Sequence, residues 1–235
     1  MDKLNKDITF FIPCFNEEKN ILKAYQNLIS AVNFYNFKYE ILIVDDGSTD
    51  DSYKVIKKIT KNNKNVFLKK NKKNLGLGKS YFKYANFAKG KFYMLINGDN
   101  TEPKNSIVKI LKYLGKSEII IPYFDNLDVR SKTRKHISKM YTLLVNVILG
   151  LKVKYYNGPV VHLTKNITQL KKLSAGYGYQ TEILASLLKK KKSSFTQVKV
   201  KNLDRTEGLS KAFRLKNIFN VMMTLIKISK YRIYE

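Results

Sequence analysis

Ile41-Leu-Ile-Val-Asp-Asp-Gly-Ser48 is an apolar, β-branched run that ends in two carboxylates and a turn. Apolar residues on both faces are typical of a central strand in a parallel sheet. Two further stretches have the same layout, Phe11-Ile-Pro-Cys-Phe-Asn-Glu-Glu18 and Leu95-Ile-Asn-Gly-Asp-Asn-Thr-Glu-Pro103. Because an α/β sheet binds its ligands at the carboxyl ends of its strands, three such endings predict a fold and a site together.

Strand-like and helix-like patterns alternate through the first half of the chain. The expected strands are Ile8–Pro13, Tyr39–Val44, Val66–Lys69, Phe92–Ile96 and Glu118–Pro122, and the expected helices are Glu18–Phe34, Ser52–Lys61, Lys79–Ala88 and Pro103–Leu114. This alternation predicts an α/β fold with a doubly wound, mostly parallel sheet flanked by helices. After residue 124 we expect a long helix over Arg130–Leu151, extended segments near Lys152–Leu163 and Phe195–Leu203 with a helix between them, and a basic and apolar C-terminal helix over about Lys211–Tyr231.

The composition is that of a globular domain. A chain of 235 residues with 44% apolar residues can bury a sizeable core, which excludes a disordered protein. The single cysteine, Cys14, cannot form a disulfide within the chain, so we expect an inert thiol and a reducing cytoplasm. The N-terminus has no apolar signal region. The apolar stretches Met140–Leu151 and Ile218–Ile228 are shorter than the roughly 18 residues that cross a bilayer.

The net charge of +27 indicates anionic partners or a compositional bias toward Lys. Only five of the 45 basic residues are Arg, and this excess of Lys agrees with a compositional bias that gives a Lys-coated surface. The functional alternatives are attraction to anionic lipid, to a phosphate-bearing substrate or to nucleic acid. Residues 189–235 carry 13 basic and three acidic side chains around an apolar stretch. This pattern favours the cytoplasmic face of an anionic membrane, and no nucleic acid partner is expected.

Asp45 and Asp46 are the first candidates for contact with a nucleotide. A carboxylate at a strand end can accept a hydrogen bond from a nucleobase N–H or a ribose hydroxyl. The same segment, with Ser48 and Asp50, is also typical of an Asx-turn or of a cap for the helix expected from Ser52. The two functions are compatible, because one carboxylate can bind while its neighbours cap.

Asn97-Gly98-Asp99 follows the expected strand Phe92–Ile96. Its side-chain oxygens are hard ligands that suit Mg²⁺ or Mn²⁺, and such a cation can stabilise a diphosphate as a leaving group. A polar turn without a metal has the same composition. The position after two earlier strand endings of the nucleotide-binding type favours the metal.

Asn74-Leu-Gly-Leu-Gly-Lys-Ser80 has the composition of a phosphate-binding loop. A Walker A motif needs a glycine five residues before Gly78, where this chain has Lys73, so that motif is excluded. A glycine turn that opens a helix can still bring backbone close to a nucleotide, with Gly76 in the turn and Lys79 near phosphate.

Two cationic segments are candidates for phosphate binding. Arg130, Arg134 and their neighbours up to Ser138 place positive charge at a helix start, against the preference of the helix dipole. This placement indicates either an anionic ligand or a solvated face. Arg205–Lys211 is a second cationic loop after an expected strand.

These motifs together resemble the family 2 glycosyltransferases of the GT-A fold, and most nearly their dolichol- and polyprenol-phosphate sugar transferases. The resemblance runs from Ile8 to about Lys216. It is carried by Pro13-x-Phe15-Asn16-Glu17, Asp45-Asp46-Gly47-Ser48, Asn74-x-Gly76-x-Gly78, Asn97-Gly98-Asp99, Arg134-x-x-x-Ser138, Glu182 and Arg205-x-x-Gly208-x-Ser210-Lys211. The last of these is the most specific, since it also follows Glu182 at the family's distance.

The resemblance implies a metal-dependent, inverting sugar transfer from a nucleotide-diphosphate sugar, with Mg²⁺ or Mn²⁺ as the cofactor. The residues implied for donor binding are Pro13, Phe15, Glu17, Asp45, Asp46, Gly76, Lys79, Asn97 and Lys211. Those implied for the metal are Asp99, Asn97 and Thr101, those for the acceptor are Arg130, Arg134 and Ser138, and those for catalysis are Asp99, Glu182 and Arg205.

The acceptor has two interpretations. A polyprenyl phosphate is already ionised and needs no general base, whereas a saccharide hydroxyl must lose a proton, for which Glu182 is the candidate base. The basic surface and the two apolar stretches favour the lipid phosphate over a glycan acceptor.

Asn97 departs from the family's D-x-D by one negative charge. A non-catalytic basic module that binds membrane or nucleic acid is therefore the alternative from another class. The expected organisation is a single GT-A domain over residues 1–210, followed by an amphipathic helix over residues 211–235 that packs on the domain or lies on a membrane.

Overall fold

The computed structural model describes residues 4–61, 63–124, 132–170, 176, 178–203 and 215–233, without the side chains of residues 132–134, 215–218 and 232–233. Its strands are β1 (Lys6–Cys14), β2 (Tyr39–Asp45), β3 (Val66–Lys70), β4 (Gly90–Leu95), β5 (Ile119–Phe124), β6 (Val161–Leu163) and β7 (Phe195–Val200). Its helices are α1 (Ile21–Val32), α2 (Ser52–Lys61), α3 (Leu77–Ala85), α4 (Lys104–Leu111), α5 (Lys132–Leu149), α6 (Thr164–Thr168), α7 (Tyr179–Ala185) and α8 (Leu215–Ile233). A π-helical turn over Ser186–Lys190 continues α7.

The seven strands form one sheet in the order β3-β2-β1-β4-β6-β5-β7. β6 runs antiparallel to both of its neighbours, and all the other pairs are parallel. Cys14 is aligned with Asp45, and Asp45 with Lys70, so β1, β2 and β3 end side by side. The prediction of a mostly parallel α/β sheet flanked by helices is confirmed, and its polar strand endings share one edge.

The sheet has a hydrophobic core on each face, because successive side chains of a strand point to opposite sides. Phe10 and Ile12 of β1 belong to the core that also contains α1, α2 and α4. Phe11, between them, belongs to the core formed with α3, α5, α7 and α8. Cys14 lies in the first core, where burial raises the pKa of its thiol to about 12. A thiol that stays protonated is inert, as the sequence indicated.

The segment between α5 and β6 departs from its prediction. Of the extended segment expected over Lys152–Leu163, only Val161–Leu163 forms a strand. The Asn146 side chain donates to the carbonyl of Val153 (2.9 Å) and accepts from its N–H (3.0 Å). These bonds take both backbone groups of Val153 out of reach of a strand partner, so the segment packs on α5 as a loop. The single helix expected after β6 is also wrong, since the structure has α6, α7 and the π-helical turn there.

Helices α5, α7 and α8 are joined by polar side chains. Lys227 of α8 forms a 2.7 Å ion pair with the fully buried Glu182 of α7. The hydroxyls of Tyr141 on α5 and Thr181 on α7 are 2.7 Å apart. A Cβ on Gly178 would lie 2.2 Å from Oγ1 of Thr224, so the glycine permits close contact at the start of α7. Within the described ranges, no helix combines the length and apolarity that crossing a membrane requires.

His162 lies fully buried in β6, with its Nε2 atom 3.0 Å from Nε2 of Gln180. Burial lowers the pKa of this imidazole to about 3 from its ordinary value of 6.5. Between those two values the unfolded chain binds more protons than the folded chain. The stability that comes from burying a neutral His162 is therefore present above pH 6.5 and is lost as the pH falls.

We expect a His162→Gln variant to lose less stability in acid than the wild type does. Lowering the pH from 7 to 4.5 should decrease the free energy of unfolding of the wild type by about 2–3 kcal/mol more than that of the variant. Urea denaturation at a series of pH values measures this difference. Parallel pH profiles for the two proteins would contradict the assignment.

Candidate active site at the carboxyl edge of the sheet

The loops that follow β1 and β2 are bonded to each other. Asn16 has a left-handed backbone (φ 57°), and its Oδ1 accepts from the N–H of Thr49 (2.8 Å). The N–H of Asn16 donates to Oγ of Ser48 (3.1 Å), and the N–H of Glu17 donates to Oγ of Ser52 (2.9 Å). These bonds join the first two motifs, and the Ser48 and Ser52 hydroxyls serve this junction. The expected capping is done by Asp50, whose Oδ1 accepts from the N–H of Ser52 (3.0 Å).

Asp46 holds the glycine turn in place. Its Oδ1 accepts from Nδ2 of Asn71 (2.7 Å), the N–H of Leu75 (3.0 Å) and Oγ of Ser80 (3.1 Å). Its Oδ2 accepts from the N–H of Gly76 (2.9 Å). Only 4% of Asp46 is exposed. The hydrogen bonds of this carboxylate therefore position the third motif against the second.

Asp45 is placed differently from its neighbour. Its Oδ1 accepts from the N–H of Ser48 (3.0 Å). Its Oδ2 is buried and has no hydrogen-bond partner among the residues that the structure describes. An unsatisfied buried acceptor costs about 1–3 kcal/mol. Asp45, unlike Asp46, therefore has an oxygen left for a ligand donor, but none of Asp45 is exposed, so a donor can reach that oxygen only if the loops around it move.

Two glycines allow the motifs to approach one another closely. Gly47 has a φ of +75°, and a Cβ there would lie 2.8 Å from the backbone N of Asn74. A Cβ on Gly98 would lie 2.4 Å from the carbonyl oxygen of Pro13. Real Cβ atoms do not come this close to backbone. A larger residue at position 47 would therefore push its loop away from Asn74, and one at position 98 would push its loop away from Pro13. The structure thus brings all four polar stretches together.

The turn after β4 orients the Asn97 amide. Nδ2 of Asn97 donates to Oε1 of Glu102 (2.7 Å), and the N–H of Asn97 donates to Oε2 of Glu102 (3.0 Å). With its NH₂ group directed at Glu102, the amide presents its oxygen on the other side. Thr101 Oγ1 donates to Oδ1 of Asp99 (2.9 Å). The three residues expected to bind a metal are therefore held in one short turn.

Glu102 is the residue of this site that the sequence interpretation missed. It is 3% exposed, and burial, followed by the nearby charge of Asp99, raises its pKa to about 7. Hydrogen bonds from Asn97 and Thr101 partly oppose this rise of the pKa. Glu102 was visible in the fourth stretch, but no spacing rule marks a carboxylate that orients an amide.

The turn fits a divalent cation that also takes ligands from its substrate. Asp99, Asn97 and Thr101 offer a carboxylate, an amide oxygen and a hydroxyl, all hard donors that suit Mg²⁺ or Mn²⁺. Across the described part of the chain, no three His, Cys, Asp or Glu side chains cluster as a metal site of their own. The oxygens of a bound diphosphate would supply the ligands that the protein does not.

The other predicted donor-binding residues surround the same edge. Pro13, Phe15 and Glu17, at and just after the end of β1, are half-buried. Gly76 has a φ of +84° with open space where a Cβ would lie, and Lys79 is exposed in the first turn of α3. The structure therefore leaves backbone and a cation accessible beside the carboxylates.

The segment after β7 runs along the metal-binding turn. The N–H of Leu203 donates to the carbonyl of Thr101 (2.9 Å), and Ser106 Oγ donates to the carbonyl of Lys201 (2.6 Å). Arg205 and Lys211 lie outside the described residues, so their assignments stay predictions. Leu203 nonetheless brings the chain, two residues before Arg205, to the turn that contains Asp99.

The acceptor-binding predictions fall on α5 and the segment before it. Arg130 lies outside the described residues, as does the side chain of Arg134. Ser138 lines an open groove of about 330 Å³ together with Lys139 and Lys154. Lys154 donates from Nζ to the hydroxyl of Tyr123 (3.2 Å), near the end of β5. The groove thus combines two cations and a hydroxyl.

Glu182, the candidate base, is buried within the helical layer. None of its surface is exposed, and its Oε2 receives the ion pair from Lys227. Its Oε1 accepts from Oγ1 of Thr224 (3.4 Å). These contacts join α7 to α8, so in this structure the carboxylate is closed to an acceptor from solvent.

Comparison with known proteins finds one family and several relatives. The sequence model described as glycosyl transferase family 2 matches residues 9–173, more than half of the chain. An uncharacterized protein of Methanocaldococcus jannaschii is 39% identical over 108 residues, 44% of each protein. A dolichyl-phosphate beta-glucosyltransferase of Trichomonas vaginalis is 27% identical over 163 residues, 64% of this chain and 47% of that protein. The chain thus spans less than half the length of these two relatives.

Similar solved structures include the glucosyl-3-phosphoglycerate synthase of Mycobacterium tuberculosis. Its complex with Mn²⁺, UDP-glucose and phosphoglyceric acid has a TM-score of 0.73 at 17% identity, over 96% of this chain and 80% of that chain. Its complex with Mg²⁺ and UDP has a TM-score of 0.71 at 16% identity, over the same shares. At such identities the likeness concerns the fold alone, and it confirms the predicted GT-A architecture.

Proposed function

Because the chain belongs to glycosyl transferase family 2, we propose that it transfers a sugar, with inversion, from a nucleotide-diphosphate sugar bound at the carboxyl edge of the sheet. The observation that carries this proposal is the convergence of four polar stretches, with the unpartnered Oδ2 of Asp45 in one and the Asn97–Asp99 turn in another. Family membership favours a transferase over the non-catalytic basic module.

In this proposal Asp45 accepts a hydrogen bond from the nucleoside. Its buried Oδ2 gains the donor that the protein does not provide, which offsets the cost of burying that atom. Pro13, Phe15 and Glu17 flank the nucleoside at the end of β1. Asp46 acts indirectly. It holds the Gly76 turn in place, so that the backbone of the turn and the side chain of Lys79 can contact phosphate.

Asp99, Asn97 and Thr101 would hold the cation. Mg²⁺ or Mn²⁺ supplies charge neutralisation for the diphosphate as the sugar leaves it. The amide of Asn97 is already oriented for this role by Glu102. Arg205 and Lys211 would add positive charge to the departing diphosphate from the segment that follows Leu203.

The proposed acceptor is a polyprenyl phosphate. A relative named as a dolichyl-phosphate glucosyltransferase supports this class of acceptor. The burial and ion pairing of Glu182 also support it, since an ionised phosphate needs no general base and a saccharide hydroxyl does. Arg130, Arg134 and the groove with Ser138, Lys139 and Lys154 would bind the phosphate.

A donor screen followed by an acceptor screen tests this function. UDP-, GDP- and other nucleotide-sugars are first compared for thermal stabilisation of the protein with and without Mn²⁺. The stabilising donor is then assayed for transfer to a short-chain polyprenyl phosphate, a free saccharide and phosphoglyceric acid. We expect metal-dependent transfer to the lipid phosphate.

Transfer to a hydroxyl alone would overturn the proposed acceptor and return Glu182 to consideration as a base. Absence of both donor binding and transfer would overturn the proposed enzyme.

A further inference from the structure

The outer faces of α5 and α8 carry most of the exposed large apolar side chains of the described chain. On α5 these are Ile137, Met140, Leu143, Leu144 and Val147, which are between 46% and 69% exposed. On α8 they are Phe219, Met222, Met223 and Ile226, which are between 48% and 63% exposed. The spacing of three and four residues makes one stripe on each helix. The two helices contact each other, and we call the two stripes together the α5–α8 face.

This concentration is specific to the two helices. Of the 17 exposed large hydrophobic residues in the described ranges, nine lie on the α5–α8 face and eight are scattered over the rest. Single exposed apolar residues are ordinary, whereas contiguous apolar patches on a protein surface mark binding sites. We therefore expect the α5–α8 face to bind a partner.

The two helices are fixed with these stripes outward. Val145 and Leu149 of α5 and Ile228 of α8 are completely buried in the core beneath. The polar links from Tyr141 to Thr181 and from Lys227 to Glu182 hold both helices to α7. A helix has only one inward face, so the second apolar stripe of each helix cannot also pack on this core.

The charge around the face identifies the kind of partner. α5 contains four basic and no acidic residues in sequence, and α8 has the same balance, with one of its four, Lys227, paired with the buried Glu182. Lys139 and Lys230 are exposed beside the stripes. Long basic side chains can extend from an apolar face toward phosphate headgroups, and each contributes about 1 kcal/mol near an anionic leaflet. A second copy of this chain would instead bring like charges together.

We propose that the α5–α8 face lies on the surface of an anionic lipid bilayer. The apolar stripes enter the boundary between headgroups and acyl chains, and the basic side chains contact the headgroups. The inference does not depend on sugar transfer, because it concerns vesicles that hold neither donor nor acceptor.

Co-sedimentation with vesicles tests the face directly. We expect the wild type to bind phosphatidylcholine vesicles that contain phosphatidylglycerol, and to bind pure phosphatidylcholine much more weakly. The Met140→Glu/Phe219→Glu variant should bind the anionic vesicles about 100-fold more weakly, at about tenfold per lost apolar contact. Phe34→Glu is the matched control, because Phe34 and Phe219 are both 63% exposed. The control should bind like the wild type.

Fluorescence gives a second readout that does not depend on loss of binding. The chain contains no tryptophan, so Phe219→Trp and Phe34→Trp each introduce a single probe. With anionic vesicles, the emission of the Phe219→Trp variant should shift to shorter wavelength and that of the Phe34→Trp variant should not.

Three results would overturn the proposal. One is the absence of wild-type binding to anionic vesicles at low salt. Another is equal binding by the wild type and the Met140→Glu/Phe219→Glu variant, which would assign binding to the general Lys coat. The third is concentration-dependent self-association in sedimentation velocity that the same variant abolishes while vesicles have no effect, which would make the face a contact between copies of the chain.

Discussion

Replacement of Asp99 by asparagine is expected to lower the rate of sugar transfer by about 100- to 1,000-fold. The fourth motif already has an amide at Asn97, so Asp99 supplies the carboxylate charge among the three proposed ligands. An amide at both positions would leave the cation with neutral protein ligands alone. Because hard divalent cations prefer carboxylates, the metal and the diphosphate that it neutralises would both bind more weakly.

Initial rates measured as a function of Mn²⁺ concentration test this prediction, with Mn²⁺ affinity measured separately by isothermal titration in the presence of UDP. Asp51→Asn is the matched control, because the Asp51 side chain is 63% exposed and pairs with Lys54 at the surface. The control should keep the wild-type rate and affinity. Unchanged transfer by Asp99→Asn would remove Asp99 from the metal site.

Asn97→Asp would restore the negative charge that Asn97-Gly98-Asp99 lacks, but it would disturb the contact with Glu102. It would bring a second carboxylate against Glu102, whose oxygens now accept from the Asn97 amide and N–H. Two carboxylates at this distance repel each other. Asn97 is matched to the buried Glu102, because its NH₂ group donates to Oε1 a hydrogen bond that an aspartate could not make.

The fold was predictable because its signals are local. The runs Ile8–Pro13, Tyr39–Val44 and Phe92–Ile96 are predominantly apolar, and the three strands that they form begin and end within two residues of their predicted bounds. The loop before β6 was not predictable in the same way. Its conformation depends on hydrogen bonds from Asn146 to Val153, and no periodicity in the segment itself encodes that contact.

The convergence of the polar strand endings was predictable, but the hydrogen bonds of the two adjacent aspartates were not. Strand endings identify Asp45 and Asp46 as a pair. Which of them keeps an acceptor for a ligand depends on Asn71, Leu75, Gly76 and Ser80, which lie 25 to 34 residues further along the chain. Sequence spacing does not report such hydrogen bonds.

The predictions for the acceptor site have less structural support than those for the donor site. They concern Arg130, which lies outside the described residues, Arg134, whose side chain also does, and Ser138, and they depend on motif resemblance. Glu182 is the exception, and its burial against Lys227 favours a structural role for it. The proposed donor site is therefore supported mainly by the geometry of the described residues, whereas the proposed acceptor is supported by chemical argument. The acceptor screen is for this reason the decisive assay.

Asp46→Ala is expected to lower the free energy of unfolding by about 3–5 kcal/mol, because four donors lose the carboxylate that they share. The N–H groups of Leu75 and Gly76 and the side chains of Asn71 and Ser80 would be left without this acceptor. For a chain of this size the change corresponds to a decrease of roughly 10 °C in melting temperature. Urea and thermal denaturation measure both quantities.

Asp45→Ala should have the opposite effect, with little change in stability and a loss of donor binding. Comparison of the two variants therefore decides which aspartate contacts the nucleoside. Asp45 accepts one hydrogen bond, from Ser48, and its other oxygen has no partner in the described structure, so stability should change by about 1 kcal/mol or less. The same variant should lose the thermal stabilisation that the nucleotide-sugar gives the wild type, since the nucleoside would lose its acceptor. If Asp45→Ala is instead the less stable protein and still binds the donor, then Asp46 contacts the nucleoside and the geometric assignment is wrong.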